Sequence, residues 1–244
     1  MSHPAQSAPW AMRDYPHARD AELDALLEQA KLASGMVVVD LQAAGGYVAD
    51  TIHRRLHGKV QCLCVEPSPL AGRIHHRHRH CTDPIDAMTS IADCEADRVV
   101  GLAGLHHSPD VPATVAEVHR ILKPGGAFVV CDVEADSRMA AWLNGFVDRH
   151  NPAGHKGRFF MAGELTALLL AAEFQRVTEQ CQEVPWRFAS LADAGRFFQG
   201  LFGLDSDVDE TLAAMQELLL IDDHRDGVSI GWSLLYATGW KPHG

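Results

Sequence analysis

Two acids and a run of small residues in the first third of the chain have the types and spacing to hold a small charged ligand. Asp40-Leu41-Gln42-Ala43-Ala44-Gly45-Gly46 follows a short apolar run. Small residues there let the backbone approach a ligand, and a helix starting just beyond offers free N–H groups to an anion. Glu66 ends a second apolar run, where its carboxylate is placed to accept both hydroxyls of a ribose. The same residues also read as a plain strand-to-helix turn and a solvated strand end, because short glycine motifs recur by chance. His106 and His107 follow a further apolar run and can supply a general base, since histidine titrates near neutral pH. A packed pair lining a pocket wall is the other reading. In Arg73-Ile74-His75-His76-Arg77-His78-Arg79-His80, the residues His76, His78 and His80 share one face of a strand. That spacing is unlike the i, i+4 helical pair of a metal site, and no carboxylate or cysteine beside them completes one unless Cys81 turns. A solvated strand with no metal is expected there.

Those residues must be carried by an alternation of strands and helices. Residues 21–33 form an amphipathic pattern with Leu23, Leu26, Leu27 and Ala30 on one face. Residues 36–41 are a continuous run rich in valine, the mark of a strand buried on both faces of a parallel sheet. Helical spacing follows over 47–56, a strand over 60–66, a short helix over 70–76 and a weak third strand over 77–82. The pattern then predicts a helix over 84–91, a strand over 97–102, a helix over 111–122, a turn at 123–126 and a fifth strand over 127–133. Strand and helix alternating in this way form βαβ units on a parallel sheet. Beyond Glu134 come helices over 137–150 and 163–172, a strand over 174–184, helices near 191–202 and 207–220, and a last strand over 227–240. One α/β domain over 1–244 is expected, with 1–20 a flexible lead and 186–226 a helical insertion that caps the site.

The whole chain sets limits on the chemistry. Its 244 residues are 47% hydrophobic, enough for a large α/β core. No stretch approaches the roughly 18–20 apolar residues that span a membrane, and the N-terminus lacks the basic and apolar regions of a secretory signal. The net charge of −11 with histidine neutral argues against nucleic acid as a partner. Six cysteines show no C-x-x-C pair, and three of them (Cys62, Cys64, Cys131) lie in apolar runs, so structural zinc is not expected and a reduced, cytoplasmic setting is.

The order of these segments carries a resemblance. Strand-Asp-Leu-x-x-x-x-Gly, then strand-Glu-Pro, then 97–110 with its Leu105-His106-His107-Ser108-Pro109-Asp110, then Leu122-Lys123-Pro124-Gly125-Gly126, together resemble class I S-adenosylmethionine-dependent methyltransferases. The likeness runs from about 36 to 184 and is nearest to the small-molecule type, including the quinone-biosynthesis group. It implies a Rossmann-like, mostly parallel seven-stranded sheet with helices on both faces and an insertion before the last strand. S-adenosylmethionine would be the cofactor and a small organic molecule the methyl acceptor. Asp40 and the loop at 42–46 would face the methionine part, Glu66 would hold the ribose, Pro67 would lie against adenine and Asp83 would contact its amine. Leu102 and Ala103 would lie under the sulfonium. The family usually has glycine at three alternate positions where this chain has Gln42, Ala44 and Gly46. The Asn-Pro pair of amine methyltransferases must end the fourth strand, whereas Asn151-Pro152 follows the fifth, so that chemistry is rejected.

Gln42 can bond the cofactor carboxylate, crowd it, or point to solvent. The expectation from sequence is a retained but weakened site, in which Gln42→Gly binds the cofactor as well as or better than the parent. A catalytically inactive binding or regulatory protein is the rival reading, and other chemistry with the same cofactor is a third.

Overall fold

A computed structural model of the chain describes residues 9–155 and 157–243. The elements begin with α1 (Pro9–Asp14), α2 (Asp20–Ala30), β1 (Val37–Leu41), α3 (Tyr47–Arg55), β2 (Gln61–Val65) and β3 (Arg79–Cys81). They continue with β4 (Ala96–Leu102), α4 (Val111–Ile121), β5 (Leu122–Asp132), α5 (Arg138–Ala141), a π-helical turn over Trp142–Val147 and α6 (Asp148–His150). The last group is α7 (Glu164–Ala171), β6 (Gln175–Glu183), β7 (Trp186–Phe188), α8 (Leu191–Phe202), α9 (Val208–Leu218), β8 (Leu220–His224), β9 (Gly227–Gly231) and β10 (Ser233–Trp240).

The chain divides into two compact units. The first holds Leu26–Asp132, Phe160–Gln180 and Leu235–Gly244. Its seven-stranded sheet has the order β3-β2-β1-β4-β5-β10-β6. β1 pairs in parallel with β2 and β4, β4 with β5, and β2 with β3, while β10 runs antiparallel to β5. The expected Rossmann-like, mostly parallel sheet is therefore present. Its core joins Val39 and Leu41 of β1 to Leu63, Val99, Phe128 and Val130 of the neighbouring strands and to Val115, Val118, Leu165 and Leu169 of α4 and α7. Each such side chain removed from water stabilises the fold by about 1.5–3 kcal/mol. Cys62, Cys64 and Cys131 are buried thiols, and burial pushes the Cys62 thiol up to about 12.

The second unit holds the segment ending at Ala25, Val133–Phe159 and Cys181–Leu234. A three-stranded sheet of order β7-β9-β8 accompanies its helices. Trp186 stacks on Trp232 at 4.2 Å and meets Phe197 edge-on at 5.6 Å, and Trp142 stacks on Phe146 at 4.9 Å. Ser190 caps α8 through the Asp193 N–H, and Asp207 caps α9 through the Glu210 N–H. The buried Glu22 carboxylate accepts from the Arg19 guanidinium at 2.6 Å and from Trp186 Nε1 at 3.2 Å.

Several sequence expectations change. Residues 84–91 form turns rather than a helix, because side chains take over their backbone groups. Asp83 accepts from the Ser90 N–H, Glu117 accepts from the Met88 N–H, and Arg120 donates to the Met88 and Ile91 carbonyls. The strand expected over 227–240 is two strands in different sheets, broken where Trp232 stacks in the aromatic cluster. The insertion carries strands as well as helices. The turn at 123–126 is absorbed into β5 as an irregularity in its register with β4. The lead includes the helix α1, while residues 1–8 of it lie outside the described residues. His78 is not on a solvated strand: it precedes β3, is buried, and bonds Asp50 of α3 at 2.9 Å.

Candidate functional site

The order of the sheet reverses at β1, whose neighbours are β2 on one side and β4 on the other. In such sheets a crevice opens at the carboxyl ends of the two strands flanking the reversal. The loop between β1 and α3 lies at that point. Its backbone is left-handed at four residues: Gln42 (φ 51°), Ala44 (46°), Gly45 (81°) and Gly46 (95°). Gly46 is the cap residue of α3 and, being glycine, offers no side-chain cap of its own. A left-handed residue with a Cβ costs roughly 1–2 kcal/mol. The loop thus keeps a backbone suited to glycine at two positions where the sequence has Gln42 and Ala44.

Glu66 holds this loop. One carboxylate oxygen accepts the Ala44 N–H at 2.8 Å and the other accepts the Ser68 N–H at 3.0 Å. The Glu66 N–H in turn donates to the Cys81 carbonyl of β3. Buried to 4% exposure, the carboxylate joins the loops after β1 and β2, a role that its strand-end position alone did not disclose. Pro67 follows it and is half-buried. Asp40, the penultimate residue of β1, is buried and accepts the Ala49 N–H of α3 at 3.2 Å. Desolvation pushes its carboxyl up to about 8, against the opposing bond from Ala49 and with help from the nearby Glu66 charge. Asp83 uses both oxygens on Ser90, at 2.6 Å to the N–H and 2.9 Å to the hydroxyl.

At the end of β4, Leu102 and Ala103 are half-buried, and Ala103 is also left-handed (φ 50°). Its N–H donates to the Cys131 carbonyl of β5 at 2.9 Å. Gly104 comes next and faces Gln42. A methyl group on Gly104 would overlap the Gln42 Oε1 and lie 3.1 Å from its Cβ. The Gln42 amide nitrogen is buried and finds no hydrogen-bond partner among the described residues. Gln42 therefore reaches from the end of β1 across the start of the turn after β4.

That turn, over Leu105–His107, presents the two histidines. Asp132, the last residue of β5, accepts the His106 N–H at 2.9 Å and pairs with His106 Nδ1 at 2.7 Å. Both residues are buried. A carboxylate on Nδ1 fixes the imidazole orientation. The rings of His106 and His107 lie 3.9 Å apart, with His107 the more exposed. Asp132 is the functional candidate that the sequence reading missed. Only the pairing of β4 with β5, which sets Leu102 opposite Cys131, brings it beneath His106.

The structure thus gathers Asp40, Gln42, Ala44, Gly46 and Glu66 around one loop, and Ala103 and His106 on the neighbouring strand end. Asn151 lies in the second unit, where its amide donates to the Phe202 carbonyl at 2.7 Å.

A family profile described as methyltransferase domain matches residues 15–179. Among curated proteins, the mitochondrial arginine-hydroxylase NDUFAF5 of Danio rerio is 24% identical over 160 residues, covering 60% of this chain and 50% of that protein. The chain therefore spans about half the length of the curated relative it matches. Among solved structures, the YcgJ protein of Bacillus subtilis superposes with a TM-score of 0.67 at 17% identity, covering 92% of this chain and all of that one. The phosphoethanolamine N-methyltransferase 2 of Haemonchus contortus, solved with S-adenosyl-L-methionine, gives 0.62 at 13% identity, over 91% of this chain and 52% of that one. At these identities the two structures speak for the fold.

Proposed function

This chain belongs to the methyltransferase domain family, and on that premise we propose that it binds S-adenosylmethionine and transfers its methyl group to a small organic acceptor. The observation that carries the reading is the loop after β1: it keeps its left-handed backbone through Gln42 and Ala44 and is clamped by Glu66 at the point where strand order reverses. The fit is supported at two residues. Each Glu66 oxygen retains a second lone pair for a ribose hydroxyl, and the buried Gln42 amide N–H awaits an acceptor. In this reading Asp40, Gln42, Ala44 and Gly46 surround the amino-acid end of the cofactor. Glu66, Pro67 and Asp83 take the nucleoside, and Leu102 and Ala103 underlie the sulfur.

When bound, the cofactor supplies a methyl group activated by a sulfonium. The work left to the chain is orientation, which by itself removes a large part of such a barrier. His106, aligned by Asp132, takes the proton that leaves an O–H or N–H acceptor, and His107 lines the same wall. The net charge of −11 favours a small acceptor over nucleic acid.

One specific feature favours a second reading, a binding protein without catalysis: Gln42 fills space beside Gly104 and both Glu66 oxygens are already engaged. Incubation with S-adenosylmethionine and a panel of phenols, amines and thiols separates the two. Acceptor-dependent release of S-adenosylhomocysteine, with a methylated product by mass spectrometry, is expected. Binding without release under any condition supports the second reading.

A further inference from the structure

We infer that Gln42 is a ligand-binding residue whose side-chain amide receives the carboxylate of the cofactor, and that Gly104 is glycine to admit that side chain. The inference rests on the S-adenosylmethionine reading and reverses the expectation drawn from sequence, that glycine at position 42 binds at least as well.

Three roles were open to Gln42: pointing to solvent, crowding the site, or binding. The first fails because the amide nitrogen is buried. Crowding needs only volume, and an apolar side chain of the same length supplies it without an orphan donor. Leaving a buried N–H unpaired costs about 1–3 kcal/mol. Gln42 carries that cost together with a left-handed backbone (φ 51°). Two unfavourable features on one residue are retained where a ligand completes the site. The residue is also held in place: its Oε1 and Cβ pack where any side chain at position 104 would stand.

The surroundings specify the sign of the ligand group. α3 starts five residues after the loop begins, with Gly46 at its cap position and the Ala49 N–H taken by Asp40. The other N–H groups of its first turn and the positive end of its dipole favour an anion. Asp40, next to this loop, is buried and holds its proton to about pH 8, so its carboxyl does not repel one at neutral pH. A carboxylate meets both the Gln42 donor and the start of α3. A nucleoside thioether without its amino-acid tail meets neither.

Calorimetric titration of the full chain with S-adenosylhomocysteine and, separately, with 5′-methylthioadenosine tests this. The second ligand keeps the nucleoside and sulfur but lacks the carboxylate. Gln42→Met, of equal length and without the amide, is expected to lose at least tenfold in affinity for S-adenosylhomocysteine, or about 1.4 kcal/mol. Its affinity for 5′-methylthioadenosine stays within twofold. Gln42→Gly is expected to lose as much, and Gly104→Ala, which displaces the glutamine, to resemble Gln42→Met. Thermal melts of the variants check that each is folded. S-adenosylhomocysteine binding that is unchanged or tighter in Gln42→Met and Gln42→Gly overturns the inference alone. A folded parent that binds neither ligand overturns the cofactor reading and this inference with it.

Discussion

Asp40 sits in a place that penalises its charge. Its carboxyl rises from 3.8 to about 8 on folding, chiefly through desolvation. Between those values the unfolded chain has released this proton while the folded chain still holds it, so stability falls as pH rises from about 4 to about 8. The slope from this one group approaches about 1.4 kcal/mol per pH unit. Asp40→Asn keeps an acceptor for the Ala49 N–H and removes the titration. Its advantage in thermal stability over the parent is expected to grow from pH 5 to pH 8, and a constant difference would contradict the assignment. Ala44 offers a second test. It is exposed and left-handed, so Ala44→Gly removes backbone strain and is expected to stabilise the chain by about 0.5–1 kcal/mol in urea unfolding, after the entropy glycine adds to the unfolded chain. A destabilised variant would mean that the loop does not hold this backbone in solution. At this scale Asp40, Gly46 and Glu66 were legible because the spacing of strand ends fixes them. The direction of Gln42 was not, since it depends on a backbone angle that residue type disfavours. Asp132 was hidden too: its partner His106 is 26 residues away and reached only through strand pairing.

Continuous apolar runs made the strands β1, β2, β4 and β5 readable, because both faces of a parallel sheet are buried. The segment over 84–91 misled for a physical reason. Ile85, Met88 and Ile91 are spaced as on a helix and are buried, but polar side chains from α4 and Asp83 satisfy the backbone instead. Arg120 is the centre of that arrangement, donating to the Met88 and Ile91 carbonyls while paired with Glu117 and Asp93. Arg120→Ala is expected to destabilise the fold by about 2 kcal/mol. It should also speed amide hydrogen exchange across 84–95 more than in β1 or β5. Uniform exchange throughout would show that the segment does not depend on Arg120. The strand over 227–240 was misread because period alone does not reveal that a tryptophan in its middle belongs to a different sheet's core.

Every residue assigned here to the cofactor, together with His106, His107 and Asp132, belongs to the first compact unit. The aromatic residues that sequence assigned to a cap are packed as the core of the second, with Trp186, Phe197 and Phe198 fully buried. Trp186→Ala is therefore expected to destabilise the second unit by about 3–5 kcal/mol, while leaving affinity for S-adenosylhomocysteine within twofold. A large loss of affinity in that variant would place part of the cofactor site outside the first unit. The claim on which the rest depends is that this chain holds the cofactor at all, and the most direct test is calorimetric titration of the wild-type chain and of Glu66→Ala with S-adenosylhomocysteine. Saturable one-to-one binding to the wild type is predicted, weakened by about 2–3 kcal/mol when the Glu66 carboxylate is removed. A folded wild-type chain that gives no binding heat up to millimolar ligand, or a Glu66→Ala variant that binds as tightly as its parent, would contradict it.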